Sequence, residues 1–147
     1  MLIDVNVLVL ATATELPAHA AVKAWWENVL ATEPRIALPW ATTLGFIRIV
    51  SNTKWRTPAL PVREAWQLAA EWLDRPNVVV PEPTEDYASR LGAFLNLPEM
   101  RAEHVPDAHL AALAVVNGLV LVSRDRGFGR YPALIWRDPI VAPASIA

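Results

Sequence analysis

Short, uniformly apolar runs alternate along the chain with amphipathic stretches, and their order predicts the architecture. Leu2 to Val5 is too short and too evenly apolar for a strand with one wet face, so it fits the centre of a sheet covered on both sides. Helical pattern follows. Pro17 at a helix start, then His19, Val22, Trp26 and Val29 at steps of three and four, give an amphipathic segment ending near Leu30. Arg35 to Leu38 reads as a short strand closed by Pro39, and a second helix runs from about Trp40 to Ser51, ended by Asn52-Thr53. Beyond the loop through Pro58, the stretch from Pro61 to Leu73 places Val62, Ala65, Trp66, Ala69 and Leu73 on one face of a third helix. Asn77 to Val80 is a β-branched strand, and Pro83-Thr84-Glu85-Asp86 opens a helix through about Leu95. After a polar loop from Leu97 to Val105, Asp107 to Asn117 forms a strongly patterned helix stopped by Gly118. Leu119 to Ser123 is then a buried strand, and Leu134 to Trp136 adds a short edge strand. Strands alternating with helices predict an α/β fold with a parallel sheet covered on both sides.

Composition narrows the picture. At 147 residues with 54% apolar content, the chain has the size of one domain, residues 1–147. The net charge of −2 argues against coating DNA or an anionic membrane as the main role, although a local basic stripe remains compatible. Zero cysteines remove disulfides, zinc-thiolate sites and thiol nucleophiles. Met1 to Ala13 lacks a positive leader and carries Asp4, so it reads as a buried strand rather than a signal peptide. Leu110 to Val122, interrupted by Asn117-Gly118, falls short of the roughly 20 residues a membrane span requires. A soluble cytoplasmic protein without a membrane role is expected. The 13 prolines fall mostly at element boundaries, so no low-complexity linker is indicated, and there is no internal repeat.

Three aspartates share one kind of junction, where an apolar run gives way to a turn or helix: Asp4, Asp107 and Asp125. In an open parallel sheet, strands deliver side chains to the crevice at their carboxyl ends, so acids far apart in sequence can converge there. Two carboxylates about 4 Å apart repel by roughly 4 kcal/mol at an effective dielectric near 20, so three together need protons or a cation. Oxygen-only ligation favours Mg²⁺ or Mn²⁺. Each acid also has a purely structural reading: Asp4 as a strand-end cap, Asp107 as a helix N-cap, Asp125 as a turn residue. Asn6 can orient the Asp4 carboxylate or hold a water, or serve as a plain cap. Their joint placement at one sheet edge distinguishes the functional reading.

Leu2-Ile3-Asp4-Val5-Asn6, Val105-Pro106-Asp107-Ala108-His109 and Ser123-Arg124-Asp125-Arg126-Gly127-Phe128 resemble, in order and spacing, the acidic motifs of PIN-domain ribonucleases. Leu38-Pro39-Trp40, Phe46-Ile47-Arg48 and Ser51-Asn52 extend the likeness to the VapC-type toxins of type II toxin–antitoxin systems, over essentially the whole chain. The resemblance implies a three-layer PIN-like α/β fold with a central, mostly parallel sheet. It also implies a Mg²⁺-dependent endoribonuclease that cuts RNA, tRNA or rRNA, to inhibit translation. Catalysis and metal binding would fall to Asp4, Asp107 and Asp125, with Asn6 in support and products ending in 5′-phosphate and 3′-hydroxyl. The implied partners are the RNA substrate, a cognate VapB-type antitoxin and a second copy of the chain in a homodimer. Two departures stand out. Gly45 occupies the place of a helix glutamate common in the family, and Gly127 that of a further acid, which puts a second metal in doubt. Spacing favours none of Glu15, Glu33 and Glu103 as a replacement.

RNA must be drawn to an acidic site by cations. Arg48 is the first candidate, with Arg124 and Arg126 beside Asp125, and Lys54, Arg56 and Arg130 in flanking loops; a solvated charged face is the alternative for each. His104 and His109 bracket Asp107 and read as a loop residue and a packing residue. Trp25, Trp26, Trp66 and Trp72 have core-like spacing, compatible with helix packing or a dimer seam, while Trp40 and Trp55 could stack on bases. Helices rich in Trp and Ala could also form a groove for an antitoxin's amphipathic tail. Two other functions compete: a degenerate, noncatalytic RNA- or protein-binding PIN module, and a phosphohydrolase of haloacid-dehalogenase type, which needs a second acid where Asn6 stands.

Overall fold

A computed structural model describes residues 1–141. Five two-residue strands form one parallel sheet: β1 (Leu2–Ile3), β2 (Ile36–Ala37), β3 (Val78–Val79), β4 (Leu121–Val122) and β5 (Trp136–Arg137), in the order β3-β2-β1-β4-β5. The helices are α1 (Val5–Thr12), α2 (His19–Thr32), α3 (Trp40–Val50), α4 (Val62–Leu73), α5 (Tyr87–Leu95) and α6 (Val105–Val116), with 3₁₀ turns at Ala102–His104 and Arg126–Arg130. Alternate strand residues point to opposite faces. Ile3, Ile36, Val78 and Val122 join α1 to α4 in one core, while Leu2, Ala37 and Leu121 join α5 and α6 in the other. Two apolar cores on the two faces of a parallel sheet make the three-layer arrangement expected.

Three local differences from the expectation have physical causes. Met1 to Ala13 is not one strand: the chain leaves the sheet after Ile3, and Asp4 caps α1 by accepting the Val5 amide at 2.7 Å. The β-branched run Val5–Thr12 is helical because the cap starts it and tertiary burial of Val7, Leu8, Val9 and Ala11 outweighs weak propensity. On α4 the inward stripe is Ala65, Ala69 and Trp72, whereas Val62 and Trp66 face solvent. Trp72 packs edge-on against Trp26 and tilted against Phe46, a position Trp66, one turn and a half earlier, does not share. α6 begins at Val105, two residues before Asp107, with Pro106 in its first turn. Its end is a Schellman motif: Gly118 takes φ 63°, and the Gly118 and Leu119 amides donate to Val115 and Ala114 carbonyls at 3.1 and 2.9 Å. Among the described residues no helix is long and apolar enough to cross a membrane.

Candidate metal centre

The chain runs from β1 to β2 on one side of the sheet, then crosses to β4 on the other side of β1. The crevice beyond the carboxyl ends of β1 and β4 is therefore where the connections diverge, the usual ligand position in such sheets. Asp4 directly follows β1, Ser123 directly follows β4, and Asp125 lies two residues further on. Asp107 reaches the same crevice from the first turn of α6. A cavity of ≈ 410 Å³ results, with Asp4, Asn6, Asp107 and Asp125 on its polar side and Leu10, Leu16, Ile49 and Trp55 on its apolar side. A larger cavity, ≈ 860 Å³, lies elsewhere and contains none of the three aspartates.

Hydrogen bonds hold two of the acids. Asp4 is buried; its Oδ1 accepts from Val5 N and its Oδ2 accepts from Ser123 Oγ, both at 2.7 Å. The Ser123 hydroxyl accepts from Asn6 Nδ2 at 2.8 Å and from Asp125 N at 2.9 Å, so one fully buried oxygen ties β1, α1 and the β4 loop together. Asn6 Oδ1 accepts from Arg124 N at 3.2 Å, which commits the Asn6 amide to that clamp. Asp125 caps the second 3₁₀ turn, accepting from Gly127 N at 2.7 Å. Asp4 and Asp125 are thus caps as well as cavity residues. Asp107 is not an N-cap, and among the described residues it has no hydrogen-bond partner: the cap position of α6 is His104, and burial and charges act on the Asp107 carboxyl.

Electrostatics reflects the crowding. Burial pushes the Asp4 carboxyl above its ordinary value, the Ser123 and Val5 hydrogen bonds oppose this, and Asp125 raises it further. Asp107 is pushed up to about 6, first by burial and then by Asp4 and Asp125, with Arg130 acting in the opposite direction. Three carboxylates that repel each other at a hydrated cleft suit a hard divalent ion, which would relieve the repulsion. Among the described residues no group of three Asp, Glu or His side chains already stands in position to hold a metal. The oxygens bonded to amides and to Ser123 still carry free lone pairs, so the donor set fits such an ion by chemistry and charge.

The remaining candidates are scattered. Arg48 is exposed on the last turn of α3, Arg124 Nε pairs with Asp138 at 3.3 Å, and Arg126 lines the larger cavity. Glu15 pairs with Arg56 at 3.0 Å, Glu33 lines the larger cavity, and Glu103 stands 4.0 Å from Arg101, so none replaces the missing acids. His109 meets the Tyr87 hydroxyl, and His104 Nδ1 accepts from Arg101 N at 3.0 Å. Trp55 lines the acidic cavity, and Trp40 does not. Sequence reasoning missed Ser123. The available signal for Ser123 was a hydroxyl ending a buried strand two residues before a candidate ligand.

The two glycines are explained sterically. A Cβ on Gly45 would stand 2.8 Å from Val5 Cγ2, so the stiff valine at the start of α1 occupies the space a side chain would need. A Cβ on Gly127 would stand 2.9 Å from Asp125 Oδ1 and 3.2 Å from Arg130 Nη2.

Comparison with known proteins identifies the family. The sequence profile of the PIN domain matches residues 1–134, and the chain belongs to that family. Within it the relatives are VapC ribonucleases. Ribonuclease VapC37 of Mycobacterium tuberculosis is 33% identical over 94% of this chain and 96% of its own length, and ribonuclease VapC43 of the same species is 33% identical over 94% of each. Among solved structures, VapBC2 from Rickettsia felis bound to a promoter DNA fragment superposes with a TM-score of 0.65 at 16% identity, covering 93% of this chain and 96% of that one. VapBC-1 from nontypeable Haemophilus influenzae gives 0.65 at 18% identity, covering 94% and 96%. Family membership sets aside the haloacid-dehalogenase reading.

Proposed function

We propose that this chain is a Mg²⁺-dependent endoribonuclease, with Mn²⁺ able to substitute, acting as the toxin of a toxin–antitoxin pair. The observation that carries this reading is the convergence of Asp4, Asp107 and Asp125, from three distant stretches, on one cavity at the divergence point of the sheet. Asp4, Asp107 and Asp125 would hold the ion, and Ser123 with Asn6 would fix the Asp4 and Asp125 ends of the set. A divalent ion held there supplies Lewis acidity and an activated water for phosphodiester hydrolysis. Trp55 offers an aromatic face beside the acids on which an unpaired base can stack.

The names of the relatives support ribonuclease activity, and the VapBC complexes support a VapB-type antitoxin as partner. The proposed substrates are tRNA or rRNA, in the cytoplasm, with translation as the target. Exposed Trp40 and Leu44 on α3 and Val62 and Trp66 on α4 supply apolar surface for a homodimer or for an antitoxin helix. The test is RNA cleavage by the purified chain with and without EDTA, together with growth on induced expression. Cleavage insensitive to EDTA, and growth unaffected by expression, would defeat the proposal. The competing noncatalytic reading draws on the lack of a ready three-ligand group among the described residues. It expects no divalent-ion binding that depends on Asp4.

A further inference from the structure

The position that lacks an acid is crowded by a cation. Arg130 folds back over Gly127: its Nε donates to the Gly127 carbonyl at 3.0 Å, and its Nη2 stands 3.2 Å from where a Gly127 side chain would begin. The Asp125 carboxylate approaches the same point to 2.9 Å, so the guanidinium and the third aspartate share the space above one α-carbon. Arg130 nevertheless forms no ion pair among the described residues, unlike Arg56 and Arg124, which are closed onto Glu15 and Asp138. Among the described residues its remaining N–H groups have no partner, and a planar fork suits phosphate oxygens.

The charge balance gives this placement a consequence. Three aspartates carry −3, so one dication leaves −1, which repels a phosphodiester. Adding the Arg130 guanidinium brings the sum to zero with one dication, and a phosphate can then approach without a second ion. Building on the ribonuclease reading above, we propose that Arg130 takes the place of a second metal: the chain binds one divalent ion, and Arg130 binds the substrate phosphate. A side chain at residue 127 would clash with the Asp125 carboxylate and press on the guanidinium, so Gly127 leaves room for both groups.

The proposal is tested on the full chain by Mn²⁺ titration with electron paramagnetic resonance, and by ³¹P relaxation of inorganic phosphate in the Mn²⁺-loaded protein. The expected result is one Mn²⁺ per wild-type chain and phosphate relaxed by it. Arg130→Gln, which removes a neighbouring positive charge, should bind Mn²⁺ about tenfold more tightly while its phosphate relaxation falls several-fold. Arg130→Lys should keep wild-type Mn²⁺ affinity and part of the phosphate effect. An arginine that only stiffens the loop would weaken both readouts together when replaced, and that outcome overturns the proposal, as does uptake of two Mn²⁺ by the wild type. Absence of any Mn²⁺ binding sensitive to Asp4→Asn would instead defeat the metal-dependent ribonuclease reading, and this inference with it.

Discussion

Asp4 and Asp107 line the same cavity yet stand in opposite structural circumstances. Asp4 is held by a backbone amide and by Ser123, so its carboxylate also starts α1 and joins two strands. Asp107 has no hydrogen-bond partner among the described residues, and burial together with its acidic neighbours pushes it up to about 6. One acid is therefore part of the scaffold and the other is carried at a cost to stability, the usual mark of a group kept for function.

The largest expected effect is on catalysis. Asp107→Asn should reduce RNA cleavage by roughly 10²–10³-fold in a gel assay with Mg²⁺, as for removal of one preorganised electrostatic group. Unaltered cutting would take Asp107 out of the mechanism. Next is the scaffold side. Ser123→Ala leaves Asp4 Oδ2, the Asn6 amide and the Asp125 amide without their shared partner, so urea denaturation should show a loss of about 2–3 kcal/mol. A loss below about 0.5 kcal/mol would mean that water or a neighbour replaces the hydroxyl.

A smaller effect of opposite sign separates the two aspartates. Because the folded-state pKa of Asp107 lies near 6 against a reference of 3.8, the folded protein holds that proton more tightly than the unfolded chain. Its favourable contribution is complete below 3.8 and is lost as pH rises through about 6. Asp107→Asn should therefore stabilise the metal-free protein at pH 8 by about 1 kcal/mol, or about 2–4 °C in Tm, with the gain gone below pH 4. A Tm that falls equally at both pH values would contradict this. The smallest effect is linked to it: thermal stabilisation by Mg²⁺ should be greater at pH 7.5 than at pH 5, since the ion must displace the Asp107 proton. Equal stabilisation at the two pH values would separate Asp107 from the ion.

Much of the fold was legible because each strand is a brief apolar run flanked by a helix with its own period. α1 was not, since Val5–Thr12 reads equally as a buried strand, and only the Asp4 cap and burial against α2 and α3 decide its conformation. The inward face of α4 was read one step off because Val62, Trp66 and Trp72 are equally apolar, and only the partner rings Trp26 and Phe46 select among them. The three aspartates stood out because each follows an apolar run. Arg130 and Ser123 could not be singled out that way, because their importance lies in distances across a loop and between strands.

Diffraction from crystals soaked in Mn²⁺, recorded to measure the anomalous signal of the ion, tests the proposed metal site most directly. The expected result is an anomalous peak in the cavity, in contact with carboxylate oxygens of Asp4, Asp107 and Asp125. A cavity without a peak at saturating Mn²⁺, with Asp4 still bonded only to Val5 N and Ser123, Asp125 only to Gly127 N, and Asp107 without a partner, would contradict it.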